Sequence, residues 1–365
     1  MSEGDLYVGL MSGTSLDGVD AVLADFSVRP PRVRASAHHP FPALLRAELL
    51  ALQSPGHDEI ARAAVAGNVL ALAYASAVEE VLLAAGADKS VVQAIGCHGQ
   101  TVRHRPERGF TSQIGNPALL AERTAIRVVA DFRSRDIAAG GQGAPLAPAF
   151  HAEVFLDRNE HRAILNLGGI ANVTRLAPEG AITGFDTGPG NCLMDLWCAQ
   201  HTGAPFDDAG KWAAGGRVLP RLLARMQQDP YFSLPPPKST GRDLFNDAWV
   251  RARIKTEDEA QSVQATLLEL TARSICDAIG RHLPRTQRVI ACGGGTKNLA
   301  LMTRLKDLLD PVALDSSDLH GLDPQLVEAL AFAWLARQRV RGLPGNLPSV
   351  TGALGRRVLG AVYPP

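Results

Sequence analysis

The sequence predicts an α/β protein whose chain is duplicated into two lobes that face each other across a cleft. Its 365 residues exceed the roughly 150 residues of one typical domain, so two domains are expected. Apolar residues make up 46% of the chain, which is enough to bury a substantial core. Each half shows three strands followed by alternating helices and strands, with its own glycine-rich turns, and this repeated order predicts the cleft.

The first half is predicted to begin with three short strands, because short apolar runs are bounded there by turn residues. A long helix and two further strands follow. The predicted strands are Leu6–Leu10, Val19–Phe26, Val33–His38, Val91–Gly96 and Arg127–Asp131, and the helix runs from Asp58 to Ala85.

The second half repeats this order from about residue 162. Its predicted elements are the strands Ala163–Leu167, Val173–Leu176 and Ile182–Phe185, a helix at Asp258–Leu283, the strand Val289–Cys292, and helices from Asn298 and Pro324. Asp323 is the predicted N-cap of the last helix, with Pro324 in its first turn. We therefore predict a first lobe of residues 1–134 plus about 345–365 and a second lobe of residues 135–344.

The composition argues against several classes of protein. Lys+Arg and Asp+Glu both number 37, so no net charge attracts nucleic acid or an acidic membrane. The N-terminus has acids where a signal peptide needs basic residues, and the longest uncharged apolar run, Val69–Val78, is shorter than the ~20 residues that span a bilayer. Five cysteines without a C-x-x-C spacing predict neither a disulfide framework nor a zinc site. We expect a reduced, cytoplasmic protein. The sequence leaves the oligomeric state open, a homodimer included.

The common nucleotide-binding and hydrolase motifs are absent. No G-x-x-x-x-G-K-[ST] and no complete G-x-G-x-x-G occurs, since residues 293–298 read GGGTKN, which excludes the simplest P-loop and Rossmann sites. G-x-S-x-G and H-E-x-x-H are also missing, which disfavours a serine hydrolase and a zinc protease.

A first candidate phosphate site is the turn GLMSGTSLDGVD at residues 9–20. Its glycines would let the backbone approach a phosphate closely, and the hydroxyls of Ser12, Thr14 and Ser15 could donate hydrogen bonds to phosphate oxygens. Asp17 and Asp20 could hold a magnesium ion, directly or through water. The alternative is an ordinary hairpin turn, in which Ser-Gly and Asp-Gly pairs are common.

A second candidate is Asp186 in GFDTGPGNCLMD at residues 184–195. It follows an apolar strand and precedes a predicted helix near Asn191, which is where α/β folds usually keep their chemistry. The alternative is that Asp186 only caps a turn. Gly293, Gly294 and Gly295 follow another apolar strand and suit close approach to a nucleotide, with a plain turn as the alternative.

Other polar stretches are less specific. His98 and His104 in GCHGQTVRH match no usual metal spacing, so a substrate loop or a buried histidine is expected. Arg133, Arg135 and Asp136 beside three glycines indicate either a polar binding loop or surface charge. The stretches at 206–216 and 235–247 are predicted loops to which composition assigns no chemistry.

Taken together, the motifs resemble the anhydro-N-acetylmuramic acid kinase family. The resemblance rests on GLMSGTSLDGVDAVL, GCHGQTVRH, ADFRSRDIAAGGQGAPLAP, NLGGIANVT, GFDTGPGNCLMD, PPPKSTGRDLFN, VQATLLELTA, CGGGTKN and the helix VEALAFAWLA, which cover nearly the whole chain. It implies the two-lobed fold of sugar kinases, actin and the heat-shock chaperone ATPases, which is ribonuclease H-like. It also implies ATP with Mg²⁺ as phosphoryl donor and 1,6-anhydro-N-acetylmuramic acid, released during cell-wall turnover, as substrate.

The resemblance also implies roles for individual residues, with Asp186 as the catalytic base. Residues expected near ATP are Gly13, Thr14, Ser15, Leu16, Asp17, Gly18, Val19, Asp20, Gly168, Gly169, Gly293, Gly294, Gly295 and Asn298. Residues expected on the sugar side are His98, Gln100, Thr101, Arg133, Asp136 and Glu328. No residue is assigned as a direct metal ligand.

The sequence departs from the expected pattern in two places. Its first glycine turn lacks the D-x-G-x-[TS] pattern of the wider superfamily, so Asp17 and Asp20 need not do that aspartate's work on magnesium. Residue 297 is Lys where Arg is expected, which could alter contact with the nucleotide.

Two other functions stay open at this stage. A phosphatase on the same scaffold would consume ATP at full rate without a sugar. A non-catalytic ATP-gated sensor or filament subunit would assemble with nucleotide and not turn it over.

Overall fold

Two β-sheets organise the chain, one in each of two structural units. The computed structural model describes residues 4–13 and 16–365. The first unit comprises the chain up to Val154 together with Leu326–Pro365, and the second is Phe155–Gln325. The predicted α/β class with two lobes is therefore confirmed. The segments 135–154 and 326–344, which the sequence analysis assigned to the second lobe, are part of the first unit.

The strands and helices follow the predicted order, with additions. The strands are β1 Leu6–Met11, β2 Gly18–Asp25, β3 Arg32–Pro40, β4 Val92–Cys97, β5 Gln100–Arg105, β6 Phe110–Ile114, β7 Val128–Ala130, β8 Arg162–Leu167, β9 Ile170–Leu176, β10 Thr183–Pro189, β11 Arg288–Cys292, β12 Ala313–Ser316 and β13 Ala361–Tyr363. The α-helices are α1 Ala43–Ala51, α2 Glu59–Ala85, α3 Pro117–Thr124, α4 Ser134–Ala138, α5 Ala147–Phe155, α6 Cys192–Thr202, α7 Lys211–Gly215, α8 Pro220–Gln227, α9 Asp247–Arg251, α10 Ala260–His282, α11 Leu299–Leu309, α12 Val327–Val340 and α13 Pro348–Thr351.

The first sheet has the strand order β13-β7-β4-β1-β2-β3. Strands β1, β2 and β3 form an antiparallel meander, and β1, β4 and β7 are parallel. Val8 and Leu10 of β1 share a buried cluster with Leu70 of α2. Gly9, between them, faces α12. Because side chains alternate along a strand, α2 and α12 cover opposite faces of this sheet.

Helix α2 is long and apolar enough to cross a membrane by length and composition alone, and it is the one described helix of that kind. Its residues Leu70, Tyr74, Ala77, Val78 and Val81 are buried. They pack in the core beside β1 and β2, so α2 is a core helix of the first unit.

The second sheet has the order β10-β9-β8-β11-β12. It repeats the pattern of the first, with an antiparallel meander of β8, β9 and β10 and parallel pairing of β8, β11 and β12. The long helix α10 packs against it, with Val263, Leu267 and Leu270 in the same buried cluster as Leu165 and Val173. The duplicated order predicted from the sequence is therefore present in the structure.

The predicted start of the last long helix is wrong. Helix α12 begins at Val327, and residues 324–326 form a turn. In this turn the Asp323 side chain accepts from the Gln325 N–H at 2.8 Å, and the Pro324 carbonyl accepts from the Gly293 N–H at 2.8 Å. The Asp323-Pro324 pair therefore does not cap α12. Its turn is hydrogen-bonded to the glycine turn after β11.

Close packing of α12 on the first sheet depends on glycine. A Cβ added at Gly96 would overlap the Phe332 carbonyl oxygen of α12, whereas one added at Gly280 of α10 meets nothing within 4 Å. We expect Gly96→Ala to lower the free energy of unfolding by about 1–3 kcal/mol, since a packed backbone must move. Gly280→Ala is the matched control and should be neutral or stabilising, by up to about 1 kcal/mol. Urea unfolding measures both, and equal stability of the two variants would contradict this packing.

Candidate active-site residues of the two units

The apolar side chains at the described end of the turn after β1 are packed into the core. The side chains of Leu16 and Val19 are buried in the core, and Leu16 has a φ of 56°, in the left-handed region. The Leu16 N–H donates to the Gly13 carbonyl at 3.4 Å. A Cβ at Gly18 would lie 2.5 Å from the His39 carbonyl oxygen, so only glycine fits there. Fixed backbone N–H groups are what a phosphate-binding turn requires.

The acids of this turn differ in their surroundings. Thr14 and Ser15, both predicted to contact ATP, lie outside the described residues. Asp17 is exposed, and Asp20 Oδ1 lies 2.8 Å from Nδ1 of His38. No group of three or more His, Cys, Asp or Glu among the described residues could hold a metal ion. Mg²⁺ commonly takes one or two carboxylates plus phosphate oxygens, so these two aspartates fit a magnesium ion only together with a bound nucleotide.

A buried network at the end of β4 connects His98 to the first turn. The backbone N–H of His98 donates to the Leu10 carbonyl at 3.1 Å. The ring Nδ1 of His98 lies 3.3 Å from the Ser12 carbonyl oxygen. The Ser12 hydroxyl donates to the Gly99 carbonyl at 3.1 Å and lies 2.8 Å from the Tyr74 hydroxyl. Because the single hydroxyl hydrogen of Ser12 is donated to the Gly99 carbonyl, the Tyr74 hydroxyl donates to the Ser12 hydroxyl oxygen.

Arg133 decides the protonation of His98. Its guanidinium lies 2.9 Å from Nε2 of His98, and because guanidinium only donates, Nε2 accepts. The proton of the neutral ring is therefore on Nδ1, which donates to Ser12. Burial and the Arg133 charge lower the pKa of His98 to about 3, so the ring is neutral at physiological pH. Burial also lowers the pKa of Arg133 to about 10, against the opposing charges of Glu328 and Asp136.

Asp136 supports this loop from within. It is fully buried, and Oδ1 accepts from Asn346 Nδ2 at 2.6 Å and from the Thr351 hydroxyl at 2.8 Å. Its Oδ2 accepts from the Gly143 N–H at 2.8 Å. These three donors give Asp136 a supporting role in the loop that carries Arg133, and its expected contact with the sugar stays a prediction.

Gln100 and Thr101 of β5 behave differently. Gln100 is 2% exposed and donates through Nε2 to the Gly13 carbonyl at 3.2 Å, while its Oε1 is buried with no hydrogen-bond partner among the described residues. An unsatisfied buried oxygen is costly and suits a ligand that donates to it. The Thr101 hydroxyl accepts from Gln113 Nε2 at 3.1 Å across the β5–β6 hairpin, so it is already used by the chain.

A cavity of about 310 Å³ adjoins His98 at the carboxyl ends of β4 and β7. The edge where parallel strands end is the usual ligand position in α/β folds. Residues around the cavity include Tyr74, His98, Gly99, Asn116, Asp131 and Ser134. Strand β6 forms part of its wall. The β5–β6 hairpin was not predicted from the sequence, because these polar strands lack an apolar alternation strong enough to be recognised.

Asp186 in the second unit is held by a loop that sequence reasoning left without a role. The backbone N–H of Asp186 donates to the Lys238 carbonyl at 3.1 Å, and its Oδ2 accepts from the Thr240 N–H at 3.0 Å. The Tyr231 hydroxyl donates to the Asp186 carbonyl at 2.8 Å. Burial raises the pKa of Asp186 to about 6, and the Thr240 hydrogen bond and the Lys238 charge limit the rise. The carboxylate is thus a base of useful strength near neutral pH.

Three glycine turns meet at one end of the second sheet. The Gly190 N–H donates to the Gly169 carbonyl, and the Asn191 N–H donates to the Gly168 carbonyl, both at 2.9 Å. Gly293, with a φ of 87°, lies against Asn166 and Leu167, where a Cβ would overlap. The turns that carry Gly168, Gly169 and Gly293 therefore meet within this unit, and their contact with ATP stays a prediction.

Asn298 has a local structural role. Its Oδ1 accepts from the Leu301 N–H at 3.0 Å and caps helix α11. The predicted nucleotide contact of Asn298 would have to be made beside this cap.

The family model described as anhydro-N-acetylmuramic acid kinase matches residues 5–365. Two relatives with that name are 57% identical over 373 residues, from Variovorax paradoxus (strain S110), and 52% identical over 360 residues, from Nitrosospira multiformis. The first match covers 99% of both chains and the second 98% of both. The chain belongs to the anhydro-N-acetylmuramic acid kinase family.

Membership of this family confirms the resemblance and makes the chain a kinase with a role in cell-wall recycling. The matches give no support to the phosphatase or to the sensor and filament subunit. The fold is also similar to (R)-2-hydroxyglutaryl-CoA dehydratase component A from Acidaminococcus fermentans, with a TM-score of 0.51 and 14% identity over 92% of this chain and 99% of that chain. At that identity the likeness concerns the fold alone. The roles of individual residues stay predictions.

The buried pair of His98 and Arg133 gives a direct spectroscopic prediction. Because the pKa of His98 is lowered to about 3, its ring should stay neutral, with the proton on Nδ1, throughout pH 5–8. Nitrogen-15 spectra of histidine-labelled protein should show that the His98 ring does not titrate in this range, and a His98→Asn variant identifies its signal. The buried His151, whose pKa burial also lowers to about 3, should behave in the same way. A His98 signal that shifts with a midpoint near the usual histidine pKa of about 6.5 would contradict this network.

Proposed function

We propose that this chain transfers the γ-phosphoryl group of Mg²⁺–ATP to the 6-oxygen of 1,6-anhydro-N-acetylmuramic acid while water opens the anhydro bridge. The products are N-acetylmuramic acid 6-phosphate and ADP. The relatives' name supports the substrate. The single structural observation that carries the mechanism is Asp186, whose partly buried carboxylate has a pKa of about 6.

The substrate dictates the need for a base. In the anhydro sugar the 6-oxygen is bonded to the anomeric carbon, so no free hydroxyl is available to accept phosphate. Water forms a bond to the anomeric carbon, the bond from that carbon to the 6-oxygen breaks, and the 6-oxygen takes the γ-phosphoryl group as its bond to ADP breaks. The proton released by the water passes to the base. A positioned base contributes typically 10²–10⁴-fold to such a step.

Asp186 has the features of that base. Its Oδ2 is fixed by the Thr240 N–H, and its backbone is fixed by Lys238 and Tyr231. A carboxylate held in one orientation can be aligned with water at the anomeric carbon. The Lys238 charge keeps the carboxylate ionised at neutral pH although burial favours its protonation.

The ATP side of the proposal rests on backbone and glycine. Phosphoryl transfer mainly requires alignment and neutralisation of charge, which backbone N–H groups and Mg²⁺ supply. The turn at 13–20 and the glycine turns after β8 and β11 are the backbone segments proposed for this task. Asp17 and Asp20 are the acids proposed to orient the water molecules of the magnesium ion.

The sugar side rests on the polar groups around His98. Arg133 is the cation proposed for the carboxylate of muramic acid, since His98 and Gly143 use three of its five N–H groups and the other two are proposed to donate to that carboxylate. Gln100 Oε1 is proposed to accept from a sugar N–H or O–H. Glu328, whose charge raises the pKa of Arg133, is proposed to keep that cation in place. We place the reaction in the cytoplasm, where ATP is available.

Removing the base tests the proposal most simply. Asp186→Asn keeps the shape of the side chain and removes its basicity, so we expect kcat to fall by about 10²-fold or more, with ATP affinity retained. Asp247→Asn, on the exposed surface of α9 and paired with Arg251, is the matched control and should keep wild-type turnover. ATP turnover, measured with and without the anhydro sugar, gives the kcat of each variant. Full activity of Asp186→Asn would refute its role.

The pH profile tests the electrostatics around Asp186. The base acts when deprotonated, so kcat/KM should rise with pH through about 6, the raised pKa of Asp186. Because the Lys238 charge lowers that pKa, Lys238→Gln should move the acidic limb to higher pH. Lys255→Gln, at an exposed ion pair with Glu257, serves as control and should leave the limb in place. A limb that does not move in Lys238→Gln would show that another group titrates.

A further inference from the structure

Four arginines line a groove in the first unit, formed in part by the edge strand β13. The groove has a volume of about 690 Å³ and lies between α4, the end of α12 and the segment 356–361. Arg135, Arg339, Arg356 and Arg357 all contribute to its walls, and Asp131 is the one carboxylate that lines it. The walls therefore carry four positive charges and one negative charge.

These arginines lack the carboxylate partners that several other arginines have. Arg62, Arg103, Arg162, Arg304 and Arg337 each pair with a carboxylate at 3.1 Å or closer. The ion pairs found in the described part of the chain include none of the four arginines of the groove. Four like charges with a single carboxylate among them repel one another, so the arrangement is unfavourable unless an anion occupies the groove.

Arg339 adds an independent observation. Its Nε atom is buried and has no hydrogen-bond acceptor among the described residues. A buried donor without an acceptor costs about 1–3 kcal/mol, and more when it is charged. An anionic oxygen bound at this wall would supply the missing acceptor and offset the repulsion.

We propose that this groove is a binding site for a small molecule that carries two phosphoryl groups. The walls have a net charge of about +3, from four guanidinium groups and one carboxylate, whereas one phosphoryl group carries only about −1.5 to −2 at pH 7. Two phosphoryl groups balance the walls. The planar guanidinium fork suits phosphate oxygens because it donates two parallel hydrogen bonds.

The size of the site favours a small molecule over a macromolecule. A volume of about 690 Å³ lies within the range of about 300–1,000 Å³ of small-molecule sites. The chain has no net charge, with 37 basic and 37 acidic residues, so the field that steers proteins to nucleic acid or to acidic membranes is absent. The positive charge is therefore local to this groove.

The groove also lies beside the cavity at His98. Asp131 and Ser134, in the short segment after β7, line both spaces. A ligand in the groove would thus sit next to the sugar-side cavity without occupying it.

Calorimetry with inorganic pyrophosphate tests the site. The nucleotide site is first saturated with a non-hydrolysable ATP analogue, so that only binding elsewhere is measured. Wild-type protein should bind one equivalent of pyrophosphate, and the double variant Arg135→Gln, Arg356→Gln should bind it at least about tenfold more weakly. Both arginines are exposed, so the fold should be unaffected, and kinase turnover of the variant checks this. Arg339→Gln should weaken binding in the same way.

Arg221→Gln, at an exposed arginine on α8 of the second unit, is the matched control and should bind like wild type. The proposal is overturned if wild type does not bind pyrophosphate or if the groove variants bind it unchanged. It is also overturned if citrate binds and pyrophosphate does not, or if only vesicles of anionic lipid bind through these arginines.

Discussion

Direct contact of backbone with backbone, at positions where a side chain would not fit, is the constraint on which both units depend. Gly9 and Gly96 let α12 lie directly on β1 and β4, and this places the start of α12 beside the His98 network. In the second unit Gly190 and Gly293 let three turns meet at the end of β8. Glycine weakens a strand locally. Here that loss of stability is offset by the close packing of one backbone on another, which a residue with a Cβ would prevent.

Burial then sets the charge of the functional side chains. In the first unit Arg133 keeps the pKa of His98 low, so a neutral ring can connect the turn after β1 to the loop after β7. In the second unit burial raises the pKa of Asp186, while Lys238 keeps the group a carboxylate at neutral pH. The same desolvation therefore yields a structural histidine in one unit and a candidate base in the other, because the neighbouring charges and hydrogen bonds differ.

Local pattern explains what the sequence could predict. Most meander strands contain short apolar runs, the long helices carry apolar residues at helical spacing, and the glycine turns stand out by composition, so the element order of both units was predictable. The support of Asp136 by Asn346 and Thr351 joins residues more than 200 positions apart, and the contact of Asp186 with Thr240 joins residues 54 positions apart. Such contacts leave no local signal. For the same reason the true start of α12 was missed, since the turn at Pro324 is fixed by its distant partner, the glycine turn after β11.

The central claim is that a base-activated water, not a sugar hydroxyl, begins the reaction. Turnover of 1,6-anhydro-N-acetylmuramic acid in oxygen-18 water, followed by mass spectrometry, tests it most directly. The account predicts one labelled oxygen at the anomeric hydroxyl of the product sugar and none in its phosphate. Label in the phosphate, or no label in the sugar, would contradict it.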